Sequence, residues 1–369
     1  NLKAFRYNTA TQIWDTIPDV PDTKGKIAAG ASCIDSIIYI IGGYHVDRFG
    51  GEVSSNKIHR YNINTNTYLT DGTNIPVATD DHVQAVWNDS LIYVITGWSN
   101  SGNIPNVQIY NPKIDSWITG APVPNSHIYK SFGASGTILG NTIYYYGGAT
   151  SASGFGIQNI LRVGEINPTN PAIITWSDTI IDPSISCYRA ACVSSPAGVN
   201  WLGGSEVTYN YNGIAYNGSG GVLTTGRNIY FNHSDSTLNY KFIYGDSLPM
   251  DLRGVAEFGN TKYIVGGMVN NQRVTNKVWK LSFQPVEIKE NQKIDFEIYP
   301  NPSNGRVYIR MNYSDDVLVQ VYSINGKMVS ELELNSNIKT LNLSDLEKGV
   351  YLIKIIDGDN TSQRKLILY

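Results

Sequence analysis

Five cationic or titratable side chains begin five short segments that are rich in alanine, glycine and serine: Lys26, His82, Lys130, Arg189 and Arg253. If these segments are neighbouring strands around one axis, the five side chains form a ring at one mouth of a central channel. Such a ring attracts carboxylates, and an arginine can hold one bidentately. The sequence therefore predicts a site for an acidic group. The alternative is that these side chains bond to Asp80, Asp81 and Asp251 and tie the repeated units together.

Tyrosines on two loops form a second candidate binding site. The loop of residues 205 to 226 and the gap of residues 44 to 55 each follow a strand that ends on two glycines, so we expect both to project from one face. Exposed aromatic rings stack on sugars, and Asn and Ser supply hydrogen bonds. The alternative is that the rings pack each loop onto its own sheet. The candidate residues are Tyr44, His45, Tyr209, Tyr211 and Tyr216.

Composition and spacing exclude several classes of partner. A net charge of -3 offers no basic surface for nucleic acid, and no apolar run is long enough for a membrane span. The histidines lie in different repeats without ligand spacing, so we expect no metal and no cofactor. The run Asp80-Asp81-His82 is more typical of a solvated turn than of a metal site.

The elements that position these residues are expected to be strands, because 35 glycines, 25 tyrosines and only 16% charged residues favour turns and pleated surfaces. An apolar strand that ends on glycine recurs about every 50 to 60 residues, which is typical of a propeller blade of four short strands. The copies lie at residues 36–43, 88–97, 141–148, 198–204 and 260–267. The sequence therefore predicts an all-β fold built from repeats.

An aromatic hairpin follows each glycine-ended strand, with turn-forming residues between its two rings. The clearest pairs are Tyr7 with Trp14, Tyr61 with Tyr68, and Tyr110 with Trp117. Together the glycine-ended strands and the hairpins resemble the kelch family of β-propellers, over about residues 2 to 284. There are more hairpin starts than inner strand pairs. We therefore predict a six-bladed propeller whose first half-blade lies upstream of Asn1.

The kelch resemblance also implies two kinds of enzyme. Copper oxidases of this group need a set of tyrosine, histidine and crosslinked cysteine ligands that the scattered histidines do not offer. Sialic-acid mutarotases are similar six-bladed propellers that act on an acidic sugar. On that resemblance Arg189, Arg253 and Lys130 would hold the carboxylate, and Glu257 or His82 would transfer a proton.

The C-terminal part of the chain has a different pattern. Residues 285 to 294 are polar and contain a proline, as in a linker. Seven short apolar segments follow in residues 295 to 369, which predicts a small Ig-like β-sandwich. This segment resembles the type A sorting domain of the type IX secretion system, through IYPNPSNG at 298–305, VYSINGKMV at 321–329 and LNLSDLEKGVYLIKI at 341–355. The resemblance implies export, recognition by the translocon, and a secreted or surface-attached product.

We therefore interpret the chain as an exported binding protein whose propeller occupies residues 1 to 284 and whose sorting domain occupies residues 295 to 369. The expected ligand is a glycan or an acidic protein or peptide, held at one mouth of the central channel. The alternative is a carbohydrate-active enzyme of the mutarotase type, and a third hypothesis is a structural adhesion scaffold. The sequence leaves open whether any reaction is catalysed.

Overall fold

The computed structural model describes residues 2–177, 179–195, 197–243, 248–252, 254–258, 261–282, 295–311, 317–334, 338–357 and 360–369. The chain divides into two compact units, Asn1–Phe283 and Gln284–Tyr369. The predicted linker of residues 285 to 294 lies outside the described residues. In the described ranges, no helix has the length and apolarity needed to cross a membrane.

The first unit is a series of antiparallel sheets in chain order. The first sheet contains Gly30–Ile34, Ile37–Ile41, Ile58–Asn62 and Thr67–Tyr68, and the second contains Val83–Trp87, Leu91–Ile95, Val107–Asn111 and Ser116–Gly120. The third contains Ser135–Leu139, Thr142–Tyr146, Ile160–Ile166 and Ile174–Trp176, with Ile180–Ile181 added beside Ile160–Ile166. The fourth contains Ala191–Ser195, Gly198–Leu202, Arg227–Asn232 and Thr237–Phe242. The fifth contains Ala256–Phe258, Thr261–Val265 and Val278–Ser282, and a separate hairpin of Ala4–Asn8 and Ile13–Ile17 precedes the first sheet.

A small hairpin follows the second strand in four of these sheets. The hairpins are Tyr44–Val46 with Glu52–Ser54, Trp98–Ser99 with Gly102–Asn103, Ala149–Thr150 with Gly156–Ile157, and Met268–Val269 with Arg273–Val274. A short 3-10 helix, Ser151–Ser153, lies inside the third of them. In the fourth sheet the loop of residues 205 to 226 takes the place of the hairpin. These segments lie at the end of the sheets where the first strands begin. The number of blades stays a prediction.

The residue pair that ends the second strand, Gly-Gly except for Thr96-Gly97 in the second sheet, connects a sheet to the next one. The second residue of the pair donates its N–H to a carbonyl just ahead of the following sheet: Gly43 to Thr79 at 3.1 Å, Gly97 to Ser131 at 2.9 Å, Gly148 to Cys187 at 2.9 Å and Gly204 to Pro249 at 3.1 Å. The first residue of the pair has a left-handed backbone, and a Cβ on Gly42, Gly147 or Gly203 would overlap the same carbonyl oxygen. Glycine therefore suits these three positions, whereas Thr96 takes the equivalent position with a φ of 48° and donates its hydroxyl to the Ser131 carbonyl at 3.2 Å.

The hydrophobic core of the propeller is divided into layers between neighbouring sheets. Tyr145 packs with Tyr93 in the layer between the second and third sheets. Its chain neighbours Tyr144 and Tyr146 point the other way and pack with Trp201 between the third and fourth sheets. Successive side chains of a strand point to opposite faces of its sheet. Because a neighbouring sheet covers each face, both faces of an inner sheet are buried. This is why the second strands are almost continuously apolar.

The aromatic hairpins form as the sequence predicts. In each of three hairpins the two aromatic residues are direct partners across the strands, and their ring centroids lie 5.1 to 5.2 Å apart: Tyr7 with Trp14, Tyr61 with Tyr68, and Tyr110 with Trp117. Such pairs add stability beyond the area that they bury. The predicted aromatic hairpins are therefore confirmed by the strand register.

In its described residues the second unit has seven strands, which lie close in sequence to the seven segments predicted. Three form one sheet, in the order Phe296–Tyr299, Arg306–Met311 and Ile338–Asn342. Four form the other, in the order Met328–Leu334, Val317–Ser323, Gly349–Asp357 and Asn360–Leu368. Residues of both sheets share one core, in which Phe296 and Val307 meet Val319 and Ile353. The unit is a two-sheet β structure, and its likeness to an Ig domain stays a prediction.

The innermost strands of the propeller surround a cavity of about 510 Å³, which we call the channel cavity. Its lining is mostly small, with alanine, glycine, serine and threonine contributed by several strands. His82 also borders this cavity, and its Nε2 atom lies 3.2 Å from the Gln84 Oε1 atom. The imidazole is buried, and this burial lowers the pKa of His82 to about 4.

We expect Gly203→Ala to destabilise the propeller much more than Gly218→Ala does. Both glycines have left-handed backbones, with φ of 70° and 78°, but a Cβ would meet the Pro249 carbonyl at residue 203 and nothing within 4 Å at residue 218. The first variant should lose roughly 2–5 kcal/mol and the second about 1–2 kcal/mol. Denaturant unfolding of the full chain measures both. Equal losses of unfolding free energy in the two variants would show that residue 203 does not closely approach the Pro249 carbonyl of the next sheet.

We expect acid to weaken the fold through His82. Its pKa is about 4 in the folded protein, against 6.5 for the ordinary group, so the unfolded chain binds more protons between these two pH values. Stability should therefore fall as the pH is lowered from 6.5 to 4, by up to roughly 3 kcal/mol. Unfolding of the wild type and of His82→Gln across this range provides the test. A free-energy difference between them that does not change with pH would contradict the expectation.

Candidate functional site

A second cavity, of about 170 Å³, opens on the face of the propeller that carries the small hairpins, and we call it the face cavity. Five aromatic side chains line it: Tyr44, Trp98, Phe132, Phe155 and Tyr216. Five polar side chains complete the lining: Glu52, Asp80, Asp81, Arg189 and Asn210. These residues come from three hairpins, from the loop of residues 205 to 226, and from turns ahead of the inner strands.

The turns ahead of the inner strands share one hydrogen-bonded register. One residue of each turn bridges to a residue just after the glycines: Ile27 to Tyr44, Asp80 to Trp98, Phe132 to Ala149, Tyr188 to Ser205 and Met250 to Met268. The next residue has a left-handed backbone in all five turns, and we call these residues the turn positions: Ala28, Asp81, Gly133, Arg189 and Asp251. This register defines which residues of the repeats are equivalent.

The register corrects the predicted ring of cations. Of the five side chains proposed for that ring, only Arg189 occupies a turn position, where the equivalent residues are an alanine, a glycine and two aspartates. The sequence alignment was displaced by one to three residues in the other repeats, because it was anchored on a charged residue rather than on the bridge. In the part of the chain that the structure describes, the turn positions therefore carry Arg189 together with aspartates instead of a ring of positive groups.

The other members of the predicted ring lie elsewhere. Lys26 forms an ion pair with Asp22 at 2.7 Å and contacts the His59 Nε2 atom at 3.0 Å. His82 borders the channel cavity, and the half-buried Lys130 lines neither cavity. Arg253 lies outside the described residues.

Arg189 forms the floor of the face cavity through a buried ionic cluster. Its Nε and Nη2 atoms donate to the two oxygens of Asp81 at 3.1 and 2.6 Å, and its Nη1 atom donates to Asp251 at 3.1 Å. The side chains of Arg189 and Asp81 are each 3% exposed. Bidentate pairing of this kind fixes the guanidinium in one orientation. The sequence raised the alternative that Arg189 bonds to nearby acids and ties repeats together. The observed contacts of Arg189 agree with that alternative.

Two tyrosine rings pack against the same guanidinium group. The Arg189 Cζ atom lies 5.0 Å from the ring centroid of Tyr188 and 5.1 Å from that of Tyr209. Burial acts to lower the pKa of Arg189, but the neighbouring tyrosine and aspartate groups raise it well above its usual value. Arg189 is therefore a permanently charged group that is already surrounded by protein partners.

The walls of the face cavity are a connected aromatic cluster. Trp98 packs against Phe132 and Phe155, with ring centroids 5.4 and 5.7 Å apart, and Phe155 packs on Tyr216 at 4.6 Å. Burial raises the pKa of Tyr216 to about 12 and also raises that of Tyr44. Both phenols are therefore neutral hydrogen-bonding groups at physiological pH.

The tyrosines predicted from the loops have different places. Tyr44 and Tyr216 line the face cavity, whereas Tyr209 is fully buried beneath it and Tyr211 is 41% exposed outside the lining. The sequence reasoning missed Trp98, Phe155, Glu52 and Asn210. Trp98 was detectable, because it directly follows Gly97 at the end of its strand just as Tyr44 directly follows Gly43. In the described residues, no group of three metal-ligating side chains is assembled.

Comparisons with known proteins match both units. Residues 297–369 match the family described as the secretion system C-terminal sorting domain. The chain is 27% identical over 144 residues to an endo-acting ulvan lyase of Formosa agariphila, which covers 38% of this chain and 26% of the lyase. It is 31% identical over 167 residues to beta-scruin of Limulus polyphemus, and 25% identical over 122 residues to Kelch-like protein 26 of Mus musculus. Those matches cover 44% and 32% of this chain but only 16% and 19% of the relatives.

A solved structure supports the fold of the first unit. The structure titled "Structure of YjhT" superposes with a TM-score of 0.59 at 14% sequence identity, and the match covers 76% of this chain and 86% of that one. This likeness concerns the fold alone. Taken with the kelch-like relatives, the sheets and the sorting-domain match, it shows that the chain is an exported, cell-surface or secreted protein that joins a kelch-type β-propeller to a C-terminal sorting domain of the type IX secretion system.

Proposed function

We propose that the propeller is a glycan-binding module and that the face cavity is its binding site. The observation that supports this proposal is the concentration of five aromatic side chains, an amide and several carboxylates in one concave site of about 170 Å³. Aromatic rings pack on the apolar faces of sugars, and amides and carboxylates bond to their hydroxyl groups. The cavity is smaller than most ligand pockets, so one terminal unit of a longer glycan enters it.

The surroundings of the cavity favour a binding role because they are rigid before any ligand arrives. The Asp81 and Arg189 side chains that form the floor are almost fully buried and bond to each other. The wall rings pack on one another rather than standing free. A site that needs little ordering loses little of its interaction energy to conformational entropy.

The described charges favour a glycan over an acidic partner. Arg189 already bonds to Asp81 and Asp251, so an incoming carboxylate would compete with two resident ones. The mutarotase alternative assigned the substrate carboxylate to Arg189, Arg253 and Lys130. Arg189 bonds to resident acids, Lys130 lines neither cavity, and Arg253 lies outside the described residues. Its two proton-transfer candidates, Glu257 and His82, line the channel cavity instead of the face cavity, and Glu257 pairs with Lys262.

We expect Tyr216→Leu to weaken glycan binding by at least tenfold, because it removes a ring from the wall of the face cavity while keeping an apolar side chain. Tyr211→Leu is the matched control, since Tyr211 lies in the same loop but outside the cavity. A glycan array identifies the ligand, and calorimetric titration of the full chain measures the affinities.

These experiments have four informative outcomes. Binding that Tyr216→Leu reduces and Tyr211→Leu leaves intact supports the proposed site. Equal effects of the two substitutions would place the site elsewhere. A folded chain that binds no glycan would overturn the proposal and favour the adhesion-scaffold hypothesis, and turnover of a bound sugar would favour an enzyme.

We expect Arg189→Met to destabilise the propeller by about 3–5 kcal/mol, because it removes the guanidinium that pairs with the buried carboxylate of Asp81. The double variant Arg189→Met/Asp81→Asn removes both charges and should recover much of that loss. Urea unfolding of the full chain compares the two variants. A double variant that is no more stable than the single one would show that the ion pair is not the source of the loss.

A further inference from the structure

We propose that the ligand group recognised by the face cavity is a cation, namely the ammonium of a sugar that carries a free amino group. This inference rests on the proposed glycan-binding function and specifies the class of sugar. It follows from the charge of the lining, from the aromatic walls, and from the way in which the protein holds its own cation at the same place.

The described residues at the cavity carry an excess of negative charge. Glu52, Asp80 and Asp81 line it, and Asp251 bonds to the floor, against the single positive charge of Arg189. Arg253 is two residues from Asp251 in the sequence, and counting it as a second positive charge still leaves the carboxylates in excess. The low-dielectric walls strengthen the resulting field at the cavity. An anion would be repelled there and a cation attracted.

Two further carboxylates, those of Asp80 and Glu52, line the cavity beside Arg189. The bonds from Arg189 go to Asp81 and Asp251. Asp80 is 3% exposed and accepts a hydrogen bond from the Ser54 hydroxyl at 2.5 Å, so its position is fixed. Glu52 lies at the rim on the hairpin strand Glu52–Ser54, and burial raises its pKa from the ordinary value of 4.5. At the rim this carboxylate can be reached by an approaching cation, and a nearby positive charge favours its ionised form.

The aromatic walls suit the same kind of group. Tyr44, Trp98 and Tyr216 border the cavity, and the faces of such rings attract an ammonium group. The protein already uses this combination for Arg189, whose guanidinium lies between two carboxylates and about 5 Å from two tyrosine rings. A ligand ammonium in the face cavity would meet the same two kinds of partner. A neutral sugar would use the rings alone, and an acidic sugar would meet the carboxylates unfavourably.

The test compares two ligands that differ only in the charged group, the β-1,4-linked tetramers of glucosamine and of N-acetylglucosamine. Calorimetric titration of the full chain should give at least tenfold tighter binding of the glucosamine tetramer at a pH below the pKa of the sugar amine. That preference should disappear at a pH above it. Glu52→Gln should reduce the ratio of the affinity for the glucosamine tetramer to the affinity for the N-acetylglucosamine tetramer by about threefold or more.

Glu206→Gln is the matched control, because Glu206 pairs with Arg227 outside the face cavity and is similarly accessible. It should leave the ratio unchanged, which separates a site-specific effect from general attraction of a polycation to the chain. Tyr216→Leu should weaken the glucosamine tetramer in the same experiment.

The outcomes distinguish the two proposals. Equal affinity for the two tetramers, a preference for the acetylated one, or array ligands that are all neutral or acidic would overturn the ammonium inference while leaving glycan binding intact. A preference for the glucosamine tetramer that Glu52→Gln and Glu206→Gln reduce equally would also overturn it. An empty array together with no binding of either tetramer would overturn the proposed function itself.

Discussion

The propeller depends on backbone hydrogen bonds that pass from one sheet to the next around the channel cavity. Besides the bonds made at the glycine-ended strands, the turns are themselves linked through four of the turn positions and through Leu252, which follows the fifth. Asp81 donates its N–H to the carbonyl of Ala28, Gly133 to Asp81, Arg189 to Gly133, and Leu252 to Arg189, at 2.9 to 3.1 Å. Each link requires a left-handed residue in the turn, which explains why that conformation recurs in all five turns. These main-chain bonds, together with side-chain contacts between sheets such as those of Gln84 with Ser32 and of Trp201 with the Ser135 carbonyl, hold the sheets in a fixed order.

This linkage determines where chemistry can be placed. A turn position has a backbone fixed by these bonds and lies close to the equivalent positions of the neighbouring sheets, so its side chain is the one element that can vary. Ala28 and Gly133 place no polar side chain there, whereas Asp81, Arg189 and Asp251 form an ionic cluster. Because burial makes an isolated charge costly, the arginine and its acids are required together. The partners are 108 and 62 residues from Arg189 in the chain, which makes the cluster a tie between distant sheets.

The sequence predicted the repeated elements much better than the site. The glycine-ended strands, the aromatic hairpins and the seven C-terminal segments depend on local patterns, namely turn residues and alternation, which a single sequence displays. The turn positions depend on register between sheets, which has no local signature when the left-handed residue is Asp81 or Arg189 rather than glycine. The sequence alignment was displaced by one to three residues. It therefore selected His82 and Arg253 in place of the aspartates at the turn positions. Tyr44 was found because it follows two glycines directly.

The separation of floor and rim has a consequence for how such a site acquires specificity. The floor is built from turn positions whose bonds also order the sheets, so a change there alters stability together with any ligand contact. The rim is built from Glu52, Trp98, Phe155 and Tyr216 on hairpins and a loop that project beyond the sheets. Substitutions on such loops leave the bonds between sheets untouched. Ligand preference can therefore change through substitutions at the rim alone. Arg189 and its carboxylates meanwhile keep the cavity in place and determine the sign of the electrostatic potential inside it.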